Sequence, residues 1–268
     1  MKRILSIDWD YFINATHQQR YMLFPDGGNE NLNRELQNFV WGIRYQDSKE
    51  LESIGILKNE YNDIHNILNR FSEPPHYTTD KHKKEMLVTV SHKWAFNFIK
   101  ERTKRHEEFE VYNIDFHHDM YSVGGEVDCG NWVNHLLKQR PRMKYYWIKR
   151  EDSDDTDRIY KNCSFESLKE LDFDYVFLCR SDCWSPPHLD MYFETLYAFV
   201  MRNMSVMVDK DLTPYRGVHK LTKSENKFRS ETFIANMVTE QSLCVNCNSV
   251  MPEGYGHVCP NCQHKYMD

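Results

Sequence analysis

The chain of 268 residues is short of positive charge, of long apolar runs and of paired cysteines. Lys and Arg number 34 against 40 Asp and Glu, leaving a net charge of −6, so a surface built to coat DNA or RNA is not expected. The basic runs Lys81–Lys84 and Lys100–Arg105 read as solvated helix faces. No segment approaches the roughly 18 uninterrupted apolar residues of a membrane span. The N-terminal MKRILSIDWDYF carries two basic residues and an apolar run, but Asp8 interrupts it before a signal-peptide core forms. These absences predict a soluble, cytoplasmic protein with neither a membrane nor a nucleic acid as partner. Of the eight cysteines, Cys129, Cys163, Cys179 and Cys183 show no framework spacing, and without a secretory signal metal binding is favoured over disulfides. No internal repeat is found. Hydrophobic residues at 40% and aromatics at 14% suffice for a sizeable core and exclude a disordered chain.

What is present is an alternation of short apolar runs and amphipathic segments. Residues 2–8 (KRILSID) read as a buried strand ending in an acid, and residues 13–30 as a polar loop with Asp26-Gly27-Gly28. Helical patterns cover about 31–46 and 57–72, the second with Tyr61, Ile64, Ile67 and Leu68 on one face. Strands are expected at 86–90, 109–114, 144–148 and 175–179, with another at 204–208. Helices are expected at about 93–105 and 131–139, and from Pro186-Pro187 to about Arg202. The pattern predicts an α/β fold in three layers: a mostly parallel sheet with helices on both faces. In such sheets ligands bind beyond the carboxyl ends of the strands. Asp8, Asp10, His92, Asp115 to Asp119 and Asp182 all follow expected strands.

The richest segment is Asn113-Ile114-Asp115-Phe116-His117-His118-Asp119. In an extended chain Asp115, His117 and Asp119 point to one side, as do Asp8 and Asp10. Two carboxylates and an imidazole facing together suit a divalent cation such as Mn²⁺ or Zn²⁺. Clustered acids would otherwise repel one another and protonate.

With DxHxD at 115–119 and His92 after the preceding strand, the chain resembles the arginase/deacetylase (ureohydrolase) superfamily over roughly residues 1–205. The match is closest to an arginase-like group in which an Asn-Trp pair follows DxHxD, here Asn131-Trp132. Val90-Ser91-His92 stands where the family's first motif would be, without its glycines. Ser181-Asp182-Cys183-Trp184-Ser185-Pro186 matches the third motif in part, with Arg180 at the position of its other Asp. The resemblance implies metal ligation by His92, Asp115, His117, Asp119 and Asp182, with Asp8 or Asp10 supplying the missing carboxylate. It further implies hydrolysis of a C–N bond in a guanidino or acylated-amine small molecule by metal-activated water. Asp10, Asn131 and a proton donor, His118 or His135, would serve the reaction. Trp9, Tyr11, Trp132 and Trp184 are either pocket walls or ordinary packing.

Two other readings stay open. Asp8 and Asp10 resemble the first motif of haloacid-dehalogenase-type, Mg²⁺-dependent phosphatases, with Asp8 as nucleophile, although Tyr11-Phe12 and Lys210 with Asp209 and Asp211 fit that family poorly. Arg180 is also compatible with an inactive metal-binding scaffold or adaptor.

Near the C-terminus Cys244-x-x-Cys247 and Cys259-x-x-Cys262 stand 11 residues apart around a Gly254-Tyr255-Gly256 turn. Two such knuckles complete a tetrahedral, structural zinc site. The predicted domains are thus an α/β metal-binding domain at 1–218, a helical connector at 219–240 and a zinc ribbon at 241–268. Lys265 is the only Lys or Arg within 241–268, so the ribbon is expected to contact protein or to dock onto its own domain.

Overall fold

A computed structural model describes residues 1–25, 32–72, 85–121, 125–153, 156, 160–203, 205–209, 212 and 216–230. The expected ribbon and its four cysteines lie outside the described residues, as do Lys210, Asp211 and most of the expected connector. Two compact units divide at His219/Lys220.

The first unit is α/β, built on a seven-stranded parallel sheet flanked by helices. In chain order its strands are β1 (Lys2–Asp8), β4 (Glu85–Thr89), β5 (Phe109–Ile114), β6 (Met143–Ile148), β7 (Lys161–Asn162), β8 (Tyr175–Cys179) and β9 (Ser205–Val208). A separate antiparallel pair joins β2 (Ile13–Asn14) to β3 (Gly55–Ile56). Spatially the large sheet runs β7-β6-β5-β1-β8-β4-β9. Strands in its middle are buried on both faces, which is why β5 (FEVYNI) and β8 (YVFLC) read as apolar runs.

Helices cover each face. On one side α2 (Arg34–Asp47), α3 (Lys58–Ser72) and α7 (Asp190–Asn203) pack Trp41, Ile64, Ile67, Phe193 and Leu196 against Leu5, Ile7, Val88 and Leu178. On the other, α4 (Trp94–Arg102) and α5 (Trp132–Gln139) pack Phe98, Ile99, Val133 and Leu136 against Ile4, Val111 and Phe177. A fully buried leucine-sized side chain contributes about 1.5–3 kcal/mol, so these two clusters dominate the stability of the unit.

The loop expected over residues 13–30 instead contains α1 (His17–Leu23). Thr16 and Gln19 form a reciprocal capping box at its start. Its apolar face is too narrow for a periodicity argument, because Arg20 and Leu23 alone are buried. A short helix α6 (Phe165–Leu168) also escaped the pattern.

The chain passes from β1 to β4, returns to β5 on the opposite side of β1, and later inserts β8 between β1 and β4. Strand order therefore reverses beside β1, and the crevice of such a sheet opens at that point. β1, β4, β5 and β8 all end at this rim. Among the described residues no helix is long and apolar enough to cross a membrane. In the second unit residues 223–230 are helical, started by Thr222 and Glu225, which cap one another's backbone.

Candidate metal centre

His92 sits at the centre of the rim. Its Nδ1 lies 3.0 Å from Asp8 Oδ2, 3.1 Å from Asp115 Oδ2 and 3.0 Å from Asp119 Oδ2. All four side chains are buried. Three oxygens lie near Nδ1, yet none meets the geometry of a hydrogen bond to it. A cation can sit among four such atoms. Spacings of about 3.0 Å match the edge of an octahedral shell of about 2.1 Å radius. On the far side of the ring, Nε2 meets the Ser6 hydroxyl at 2.8 Å, a contact that fixes ring orientation and leaves Nδ1 for a ligand.

A second group shares Asp115. His117 Nδ1 lies 3.1 Å from Asp10 Oδ2 and 4.0 Å from Asp115 Oδ1. The ligand atoms of Asp8, His92 and Asp115 lie within 4.8 Å of one another, and so do those of Asp10, Asp115 and His117. Asp115 thus turns one oxygen toward each histidine. Asp10 Oδ1 is also buried without a hydrogen-bond partner. This buried cluster of Asp and His is able to hold a metal ion.

The convergence is not the expected extended strand. β5 stops at Ile114, and residues 115–119 form a loop in which Asp115 Oδ1 accepts the His117 amide at 2.8 Å. β1 likewise stops at Asp8, whose carboxylate accepts the Asp10 amide and caps a 3-10 turn over Trp9–Phe12. Asp119 and Ser181 both adopt left-handed backbone (φ 53° and 54°), the two non-glycine residues to do so among those described. Conformations of this cost cluster where function demands them. Here they turn Asp119 toward His92 and the Ser181 hydroxyl onto Asp8 Oδ2 at 2.7 Å.

Supporting bonds surround the ligands. Trp132 Nε1 donates to Asp119 Oδ2, and Asn113 Nδ2 donates to Asp115 Oδ2 at 3.0 Å and to the Tyr145 hydroxyl. Arg20 donates to the Asp10 carbonyl at 2.7 Å and approaches its carboxylate at 3.5 Å.

Proton affinities follow from this crowding. Burial pushes Asp8 up to about 7, helped by the charges of Asp10 and Asp115. Asp115 rises to about 8 through burial and the Asp119 charge. Burial alone would raise Asp10, but the bond to His117 and the charges of His117 and Arg20 hold it below its ordinary range. Burial opposes charge on His117, yet Asp10 and Asp115 lift it to about 9.

Asp182, expected as a ligand, is not in the cluster. The alternation along β8 carries Phe177 and Cys179 on the side of the cluster and Leu178 on the other. Arg180 and Asp182 continue the second side. There Asp182 pairs with Arg180 (2.5 Å and 2.9 Å) and with Arg216 (3.7 Å), which keep its carboxyl low against the effect of burial. Arg180 therefore points away from the cluster, its charge paired with Asp182 and Asp190. Ser181 is the residue facing Asp8.

The expected catalytic partners divide in the same way. His118 accepts the Met120 amide at Nδ1 and packs between Tyr121 and Trp147. His135, on α5, packs edge-to-face against Phe96 of α4. Asn131 accepts the Asp128 amide and donates to the Glu126 carbonyl, organising the loop before α5. None of these three is among the residues that line the cavity at the rim. Of the four aromatics, Trp184 lines the cavity, Trp132 bonds Asp119 from beneath, and Trp9 and Tyr11 belong to the core. Asp209 accepts the Thr89 hydroxyl at 2.7 Å.

The cavity itself encloses about 500 Å³. Asp8, Asp119, His117 and Ser181 form part of its wall, with His17, Arg20, Arg44, Phe24, Phe116, Tyr121 and Trp184. Sequence reading missed Ser6, Asn113, Ser181, His17, Arg20 and Arg44. The first two were accessible by alternation, since each precedes a ligand by two residues in a strand. The α1 and α2 residues carried no such signal.

No protein-family model matches the chain, and no curated protein or solved structure matches it either.

Proposed function

We propose that this chain is a metal-dependent hydrolase of the arginase/deacetylase type, splitting a C–N bond in a small molecule with metal-activated water. The observation that carries the reading is Asp115, a buried carboxylate between two ligand groups, one oxygen toward His92 and one toward His117. A carboxylate so shared suits a pair of divalent ions. Carboxylate and imidazole donors without thiolate favour Mn²⁺, with Zn²⁺ the alternative. When bound, such ions supply an acidified water and polarise a carbonyl oxygen.

The chain's own residues do the remainder. Asp8, Asp10, Asp115, Asp119, His92 and His117 hold the ions, and Ser6, Asn113 and Trp132 orient three of those side chains. Ser181 holds Asp8 through its hydroxyl. His17, the imidazole that lines the cavity outside the cluster, takes the part first given to His118 or His135 and protonates the leaving amine. Phe24, Phe116 and Trp184 exclude water. The C-terminal cysteines, Cys244, Cys247, Cys259 and Cys262, hold a separate structural zinc in a ribbon that contacts protein.

Elemental analysis of the full chain tests this. Two Mn²⁺ per chain beyond the ribbon's zinc, both lost in Asp115→Ala, are expected, together with Mn²⁺-dependent amine release from N-acyl compounds. A single Mg²⁺ with phosphatase activity, or no metal outside the ribbon, would overturn the reading.

A further inference from the structure

We propose that the cavity over the cluster takes an acyl compound bearing a carboxylate, and that Arg44 on α2 selects it. The acyl chemistry rests on the hydrolase reading above; the charge preference rests on the cavity wall alone. Among the described lining residues the carboxylates are Asp8 and Asp119, and both face His92. Once these hold a cation, the described wall offers no acid to a guanidinium or ammonium ligand. Desolvating such a cation beside two arginines would be costly.

The two arginines differ. Arg20 is buried and committed: its guanidinium donates to the carbonyls of Asp10, Ile13 and Ala15 and stacks 3.9 Å from the Phe116 ring centroid. Arg44 is half-buried in the same wall and makes no side-chain hydrogen bond or ion pair with any described residue. α2 is pinned close to it on either side. Trp41 Nε1 donates to the Asp182 carbonyl at 2.8 Å, and the Tyr45 hydroxyl bonds His188. Among the described residues Arg44 is therefore a cation at the cavity wall with open donors, and a guanidinium fork matches a carboxylate with two parallel hydrogen bonds. Phe24 and Trp184 complete the wall and suit an apolar body between the carboxylate and the acyl group. This chooses between the two substrate classes left open by the sequence: an anionic acylated amine rather than a guanidino compound.

Titration calorimetry of the full chain, with and without Mn²⁺, decides the point using three probes. N-benzoylglycine and N-benzoylglycinamide share a shape and differ in charge; benzylguanidine is the cation. The acid should bind about tenfold more tightly than the amide, the factor expected of one charge-assisted pair, with benzylguanidine weakest. Arg44→Gln should bring the ratio of acid to amide close to one while metal content and Tm stay unchanged, and Arg44→Lys should retain part of it. Equal binding of acid and amide, a ratio untouched by Arg44→Gln, or a preference for benzylguanidine would overturn the proposal. If Arg44→Gln fails to fold, the wild-type and Arg44→Lys ratios still decide. Absent metal uptake or absent turnover defeats the hydrolase reading instead, and leaves the charge preference to be read from binding.

Discussion

Two buried charge clusters lie back to back at the end of β8, and they are solved in opposite ways. On one side Arg180, Asp182, Asp190 and Arg216 form a balanced quartet of two cations and two anions. Arg216 alone donates to both Asp190 oxygens, to the Asp182 carbonyl and to the Ser185 carbonyl. Asp182 and Asp190 hold its guanidinium above its ordinary range although burial works against the charge. On the other side Asp8, Asp10, Asp115 and Asp119 face two histidines and Arg20, with an imidazole nitrogen and a carboxylate oxygen left without partners. The first cluster needs nothing from outside. The second has to recruit positive charge, either protons or a metal ion, and this contrast is the physical case for a metal centre.

The largest expected effect breaks the unbalanced side. Asp115→Ala should abolish metal uptake by the α/β unit, whereas His117→Ala should remove one of the two proposed ions and spare the zinc proposed for the C-terminal cysteines; elemental analysis reads both. Cys247→Ser should do the reverse.

Next in size is an attack on the balanced side. Arg216→Met leaves Asp182 and Asp190 short of a partner and should cost about 3–5 kcal/mol in denaturant unfolding. Metal content at saturation should not change, because the quartet faces away from the cluster. A loss of metal with the fold intact would mean the two clusters are coupled.

A pH series sharpens the comparison further. In the metal-free protein Asp8 and Asp115 hold protons to about 7 and about 8 from an ordinary 3.8, and His117 to about 9 from 6.5. The unfolded chain releases those protons earlier. Raised groups of either kind favour the folded state at low pH, and that contribution is lost as pH climbs through the folded values. Asp10 and Asp182, which are lowered, act in the opposite sense only toward acid pH. The metal-free unit should therefore lose stability between about pH 5 and pH 9, and the Tm gained on adding Mn²⁺ should widen over that range. A gain that is constant with pH would contradict the proton-for-metal exchange.

Trp132→Phe should be milder, weakening metal affinity by about 10–100-fold through the loss of one bond to Asp119. Ser6→Ala, which frees the far nitrogen of His92, should sit at the low end of that range, measured by competition with a chelator.

The alternation of apolar and amphipathic segments determined the elements themselves: β1, β5 and β8 fall at the expected residues, and α2, α3 and α5 within three residues of them. The rim and most of the acids and histidines gathered there were equally legible, because such residues following apolar strands have little other reason to be there. Alternation is a local rule, however, and it fails where a strand ends. Asp182, expected at the rim from a partial motif, pairs with Arg180 and Arg216 instead, while the left-handed turn at Ser181 brings that hydroxyl to Asp8. Alternation put Asp115, His117 and Asp119 on one extended face when a loop gathers them. Which acids gain a cation partner, and which are left to find one, depends on contacts such as Arg20 with Asp10 or Arg216 with Asp182, between residues 10 and 34 positions apart. Arg44 reaches the cavity from a helix with no motif at all. Sequence determines what each segment can become, since propensity and periodicity act over a few residues; the pairing of charges is decided only when distant segments share a buried volume where an unpartnered ion is costly.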